Sequence, residues 1–92
     1  MAEELLVGTI VGVDEHPGAR APSLLLTVDL GPRGTHEAVL PSGAYEAGAL
    51  EGTQIVCSRG PDGVVVVGAH SHAAGLVLLR PDRAVEPGTL VD

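Results

Sequence analysis

Residues 7–31 read VGTIVGVDEHPGARAPSLLLTVDLG, and the fold is decided in this stretch. At both of its ends apolar residues alternate with other residues, which is the side-chain period of a β-strand with one buried face. Between the ends lie Pro17 and Pro22, and a proline lacks the N–H that a central strand must donate. The stretch therefore predicts a long β-hairpin with a connection punctuated by proline.

Both strands of this hairpin have a predicted inner and outer face. In the second strand, Leu26 stands at the centre of the more apolar face, which should be buried. That face consists of Leu24, Leu26, Val28 and Leu30. In the first strand, the odd-numbered residues from Leu5 to Val13 should share one face, and the even-numbered residues from Leu6 to Gly12 the other.

Further apolar runs bounded by glycine or proline follow the hairpin. Residues 44–50 (AYEAGAL) predict a short helix, with Ser42 as N-cap and Gly52 as terminator. Residues 70–75 predict a loop, and residues 85–91 an extended tail. The predicted strands after the hairpin comprise residues 35–40, 53–58, 64–69 and 76–79.

This element order predicts an all-β fold. A five-stranded Greek-key barrel with one short helix between strands 3 and 4 is an OB-fold. The chain has 92 residues, which suffices for one small domain. We therefore expect residues 1–92 to form a single OB-fold domain with an extended C-terminal tail.

The charge balance limits the classes of partner. The sequence holds 12 acidic residues, five arginines and no lysine, for a formal net charge of −7. Nucleic-acid-binding proteins normally present a basic patch, which this composition does not supply. The acidic start at Glu3 and Glu4 lacks the basic segment of a secretory signal, and no apolar run is long enough to span a membrane. We expect a cytoplasmic protein that does not enter the membrane.

Few residues point to catalysis or metal binding. The lone Cys57 lies in an apolar run and is expected to be a small buried hydrophobe. His70 and His72 would share one face of a strand and could bind a metal there, but no third ligand is near in sequence. The serines lack the context of a nucleophile elbow. We expect no enzyme activity, metal or cofactor, with a metal protein or hydrolase as the remaining alternative.

Candidates for nucleic-acid contact are few. OB-folds bind single-stranded or looped nucleic acid by stacking bases on aromatic side chains beside a basic groove. Tyr45 is the one aromatic residue, and Arg20, Arg33 and Arg59 are candidates for phosphate contact. Alternatively, Tyr45 packs the helix onto the barrel and leaves its hydroxyl at the rim.

Several blocks, in order and over most of the chain, resemble the CsaA family, a group of small tRNA-binding-domain proteins described as export-related chaperones. Residues 7–11, 17–22 and 26–31 resemble the family patterns V-G-T-I-V, P-E-A-R-x-P and L-x-I-D-F-G. Residues 77–82 resemble its V-L-L-x-P-D. Weaker matches are Tyr45 with Leu50, Gly52 and residues 54–56, then residues 65–69, then Val85, Pro87, Gly88 and Thr89.

The resemblance implies an OB-fold homodimer that binds tRNA-type RNA and, in the CsaA branch, unfolded export substrates. The family regions that would face RNA correspond here to residues 36–44 and 57–63. The expected RNA contacts are Arg20, Arg33, His36, Tyr45 and Arg59. Strand ends and tails would pack across the two-fold axis, with Leu79, Val85, Pro87 and Leu90 as the expected dimer contacts.

Two regions depart from the family pattern. One is residues 36–44, where the family has a polar segment that contains lysine, and the other is residues 57–63. The family has an Asn-Phe-Pro-Pro segment and a basic loop after the fourth strand, whereas residues 57–63 here hold one arginine and no aromatic. Two hypotheses of function follow. The chain is either a CsaA-like dimer that binds RNA, unfolded export substrates or both, or an interaction module that keeps the barrel and dimer but binds a protein or peptide instead of RNA.

Overall fold

The computed structural model of the chain describes residues 3–15, 23–41 and 45–92. In these ranges the elements are β1 (Glu4–Glu15), β2 (Leu24–Asp29), β3 (Thr35–Leu40), α1 (Ala47–Leu50), β4 (Gln54–Gly60), β5 (Gly63–Val66), β6 (Gly68–Ser71) and β7 (Gly75–Leu78). A 3-10 turn, Gly31–Arg33, joins β2 to β3.

Five strands form one antiparallel sheet in the order β3-β2-β1-β4-β5. Because β3 also contacts β5, the sheet curls into a nearly closed barrel, with α1 between β3 and β4. This is the predicted OB-fold, and the all-β prediction is confirmed. The other two strands, β6 and β7, pair as a separate hairpin. Within the described ranges, no helix has the length and apolar character to cross a membrane.

A bulge divides β1, which pairs with β4 through its first half and with β2 through its second. The register with β2 shifts between Ile10 and Gly12, so Val11 is the extra residue and lies exposed. After the bulge, Val13 packs against the core. The predicted common face of the odd-numbered residues is therefore wrong beyond Ile10, because one extra residue reverses the alternation.

The inner face of β2 lies at the centre of the core. Leu26, Val28 and Leu30 are completely buried, as the alternation predicts, and Leu24 packs against them at the edge. The other completely buried large side chains are Leu6, Ile10, Leu40, Leu50, Ile55 and Cys57. A Cβ at Gly8 would overlap Val28 Cγ1, so this glycine leaves room for the Val28 side chain of β2 to pack against β1.

The predicted strand at residues 64–69 is two strands, β5 and β6, which separate at Val67. The Val67 N–H donates to the Val56 carbonyl at 3.0 Å, and the Val56 N–H donates to the Leu79 carbonyl at 2.9 Å. The Leu79 N–H donates to the Val67 carbonyl at 3.4 Å. Leu79 thus enters the ladder beside β4, and the chain after Val67 turns away to pair with β7.

The predicted loop at residues 70–75 is wrong at both ends. His70 and Ser71 belong to β6, and Gly75 begins β7 with φ +72°. Ser71 Oγ accepts the N–H groups of the two alanines in the turn, at 3.2 and 3.1 Å. This hairpin is largely exposed, so its sequence lacks the alternation that marks a half-buried strand.

The helix is one turn long, in agreement with the predicted short helix of one or two turns, and it occupies the last part of the predicted range 44–50. It begins at Ala47 with Glu46 at the N-cap position, so Ser42, which lies outside the described residues, is not its cap. It ends at Leu50, and the predicted terminator Gly52 follows with φ +87° and donates its N–H to the Ile10 carbonyl at 2.8 Å. Gly48 inside the run lowers helix propensity and is consistent with a single turn.

The tail, residues 85–91, lies along the edge of β1 that β2 leaves free. The Val7 N–H donates to the Thr89 carbonyl at 2.8 Å, and Gly88 donates to the Val7 carbonyl at 2.7 Å. Gly88 and Gly31 both have positive φ, and their backbones touch: a Cβ on Gly88 would overlap the Leu30 carbonyl oxygen. The two glycines let the tail lock against the 3-10 turn.

Candidate functional site

Two of the five predicted RNA contacts, Arg33 and Arg59, converge on one carboxylate. Glu4 near the start of β1 lies directly opposite Arg59 of β4 in the register. Arg33 donates from Nε and Nη2 to the two Glu4 oxygens, each at 2.9 Å. Arg59 Nη1 donates to Glu4 Oε1 at 3.0 Å. We call Arg33 and Arg59 the arginine pair.

A third predicted contact, His36, adjoins the arginine pair. Its Nε2 lies 2.7 Å from the Arg33 carbonyl oxygen. Because a carbonyl oxygen only accepts, Nε2 carries the proton and the imidazole helps to hold the 3-10 turn. The structure therefore brings Arg59 to the 3-10 turn that holds Arg33, from which it is well separated in the sequence, and His36 follows Arg33 by only three residues.

The arginine pair lowers the pKa of Glu4. The hydrogen bond from Arg33 is the main cause, with a further contribution from Arg59, and the same bond raises the pKa of Arg33. Since the folded-state pKa of Glu4 lies below its unfolded value, these ion pairs stabilise the fold at neutral pH. Their contribution is lost as the pH falls through the lowered pKa.

A fourth predicted RNA contact, Tyr45, does not join this cluster. The Tyr45 ring packs against the core, and its hydroxyl accepts the Leu78 N–H at 3.0 Å. Tyr45 is thus tied to β7, whereas the arginine pair is tied to β1. Arg20 lies outside the described residues.

An apolar groove runs along the seam where β3 meets β5. We call it the seam groove; its volume is about 470 Å³. Its lining residues are Val39, Pro41, Val65, Val66, Val67, Gly68, His70 and Leu76. Val65 is 60% exposed, and Val39 on the opposite wall is also exposed. Apart from His70, no lining side chain can carry a charge.

The predicted dimer contacts fall into two groups. Leu79 and Leu90 present exposed side chains. Val85 and Pro87 are half-buried within their own chain. Gln54 fixes Val85: its Nε2 donates to the Val85 carbonyl at 2.7 Å, and its Oε1 accepts the Val85 N–H at 3.0 Å. This role of Gln54 was not predicted. The signal that could have identified it is a polar amide side chain at the first position of strand Gln54–Gly60, directly before an apolar run.

The two histidines proposed as a metal pair are exposed, His70 on β6 and His72 in the turn that follows. The described residues hold no group of three or more histidine, cysteine, aspartate or glutamate side chains placed to bind one ion. No metal-ligand set therefore surrounds this pair among the residues that the structure describes.

Cys57 should not react as a nucleophile in the folded protein. Its side chain is completely buried, and burial raises the pKa of the thiol to about 11. At pH 8 only about one molecule in a thousand would carry the reactive thiolate. We expect negligible alkylation by iodoacetamide in native buffer and full alkylation in denaturant, both read by intact-mass spectrometry. Equal labelling in the two conditions would contradict the burial.

Comparison with known proteins identifies similar structures. No protein-family model and no curated protein matches the sequence. The chaperone CsaA of Bacillus anthracis str. Ames superposes with a TM-score of 0.90 at 27% identity, over 98% of this chain and 91% of that one. The CsaA chaperone protein of Picrophilus torridus gives 0.89 at 24%, over 98% and 92%. A MetRS-related protein of Pyrococcus horikoshii gives 0.76 at 15%, over 97% and 89%. The resemblance to CsaA-like, tRNA-binding-domain proteins is confirmed.

Proposed function

We propose that this CsaA-like chain is a non-enzymatic binding protein that holds apolar segments of unfolded polypeptides in the seam groove. The observation that carries the proposal is an exposed apolar groove on a small protein whose net charge is −7. Exposed apolar surface of this kind marks interaction sites in soluble proteins. The similarity to chaperones supports the same class of partner.

The chemistry of the groove favours polypeptide over RNA. Its walls are aliphatic, so they would bury leucine or valine side chains of a partner but offer neither stacking rings nor phosphate contacts. Its backbone borders are strands β3, β5 and β6. An extended segment fits such a surface, because its alternate side chains can enter the groove.

We further propose that the chain acts in the cytoplasm as a homodimer of single OB-fold domains. Leu79 and Leu90 support the dimer, since exposed leucines at a strand end and in the tail suit an apolar contact across a two-fold axis. Val85 and Pro87 would contribute mainly by positioning this surface. Export preproteins are the proposed unfolded substrates.

Changing Val65 to aspartate should abolish polypeptide binding. A charge at the groove wall opposes burial of an apolar segment, while the exposed position leaves folding intact. The measurement is light scattering of a chemically denatured client diluted into buffer with one equivalent of protein. Wild type should suppress aggregation, and Val65→Asp should lose most of this suppression.

Val11→Asp is the matched control, because Val11 is also an exposed valine, 49% accessible, and lies outside the groove. It should suppress aggregation as wild type does. Equal activity of both variants would show that the groove is not the binding site, and inactivity of wild type would overturn the proposed function.

RNA binding is the second candidate, favoured by the gathering of Arg33, His36 and Arg59. The net charge of −7 weighs against it, because an acidic protein repels the phosphate backbone. Titration with tRNA at low and moderate salt distinguishes the candidates, because phosphate contacts produce affinity that falls steeply with salt. Absence of binding at low salt would exclude RNA as the partner.

A further inference from the structure

The arginine pair has the geometry of an anion site whose occupant is supplied by the chain itself. Arg33 uses two nitrogens of one guanidinium edge on two oxygens of one carboxylate, a planar two-point contact. Arg59 adds a third N–H donor from the neighbouring strand. A phosphate group presents oxygens at a similar spacing and with more charge, so the same three donors can bind it.

A modest free energy holds Glu4 in this place. The side chains of Glu4, Arg33 and Arg59 are 35%, 25% and 41% exposed. The two-point contact and the second arginine make this ion pair stronger than a single exposed pair, but water still screens the charges and hydrates the carboxylate when it leaves. The Glu4 carboxylate can therefore swing into solvent while Leu5 and Leu6 stay in the ladder.

We propose that Arg33 and Arg59 form a phosphate-binding clamp and that the Glu4 carboxylate is its internal competitor. While Glu4 occupies the clamp, the three side chains carry a net charge of about +1, which rises to about +2 when the carboxylate leaves. A phosphate-bearing ligand enters by displacing Glu4. The clamp does not rest on polypeptide binding, because its residues are absent from the lining of the seam groove.

The test removes the competitor and keeps the arginines. Glu4→Gln should bind inorganic phosphate about fivefold tighter than wild type, since the competing charge is gone. Glu37→Gln is the matched control: it makes the same change of net charge at an exposed position on β3 and should stay within about twofold of wild type. Adding Arg33→Gln to Glu4→Gln should reverse the gain.

A second measurement tests phosphate binding at the clamp with wild-type protein alone. In an NMR titration with inorganic phosphate, the side-chain Nε–H signals of Arg33 and Arg59 should shift, whereas that of the exposed Arg80 should not. This measurement remains decisive if Glu4→Gln melts at a lower temperature than wild type.

A parallel titration with tRNA distinguishes the source of the phosphate. Tighter binding of both ligands by Glu4→Gln would support a clamp for a nucleic-acid backbone. Tighter binding of inorganic phosphate alone would support a clamp for a small phosphorylated ligand. If Glu4→Gln and Glu37→Gln gain equally, or neither gains, and the arginine signals do not respond, the clamp is refuted.

Discussion

Leu26→Asp will leave the chain unable to fold. Leu26 is completely buried on β2, where it pairs with Val13 on one side and Ala38 on the other. An unpaired carboxylate there costs several kcal/mol, or else must be buried in its neutral form without a hydrogen-bond partner. A domain of this size has a total stability of only about 5–14 kcal/mol, so one such substitution removes most of it.

The matched control is Leu25→Asp, which makes the same change one residue away on the outer face of the same strand. Because Leu25 is only half-buried, this variant should stay folded with a modest loss of stability. Circular dichroism during heating compares the two, and we expect a cooperative transition for Leu25→Asp only. A soluble Leu26→Asp protein that melts cooperatively would mean that the assigned inner face of β2 is wrong.

Gly88→Ala will detach the tail from β1. A methyl group at Gly88 would overlap the Leu30 carbonyl oxygen, and the backbone φ of +88° is itself unfavourable for alanine. Backbone strain and overpacking together should lower the free energy of unfolding by about 3–4 kcal/mol. The bonds between the tail and Val7 should be lost with it.

Gly34→Ala separates the two effects. Gly34 has nearly the same φ, +84°, but nothing lies within 4 Å of the position that its Cβ would occupy. Its cost should therefore be the strain alone, about 1–3 kcal/mol, because its φ of +84° and ψ of −169° lie in a region that is nearly exclusive to glycine. Urea unfolding measures both variants, and faster hydrogen exchange of the Val7 and Val91 amides should mark Gly88→Ala alone. Equal costs would show that the tail does not lock against the 3-10 turn.

The two binding surfaces proposed for this chain differ in chemistry. The seam groove is aliphatic and open to solvent, whereas the arginine pair is charged and already bonded to Glu4. Val65→Asp tests the first surface and Glu4→Gln the second. Because Val65 and Glu4 lie in different sites, Val65→Asp should leave phosphate binding unchanged and Glu4→Gln should leave polypeptide binding unchanged.

The sequence by itself determined the barrel and its centre. The alternation of apolar and other residues along residues 24–30 is a local property of a strand with one solvent-exposed face. It therefore identified Leu26, Val28 and Leu30 as core residues. Glycine and proline marked most strand ends, because they restrict or interrupt the ladder where they stand. The order of these elements, with the CsaA-like blocks, was enough to predict the OB-fold.

Only the tertiary structure decided where the strands bend or break and which charged side chains meet at the surface. The bulge at Val11 and the break at Val67 depend on which distant backbone groups the residues there hydrogen-bond to. The alternation of apolar residues along the sequence carries no information on those partners. Glu4 accepts hydrogen bonds from Arg33 and Arg59, which follow it by 29 and 55 residues, because strand register and the 3-10 turn place both arginines beside it. The sequence could name Arg33 and Arg59 as candidates for phosphate contact, but only the folded chain shows that a carboxylate already occupies them.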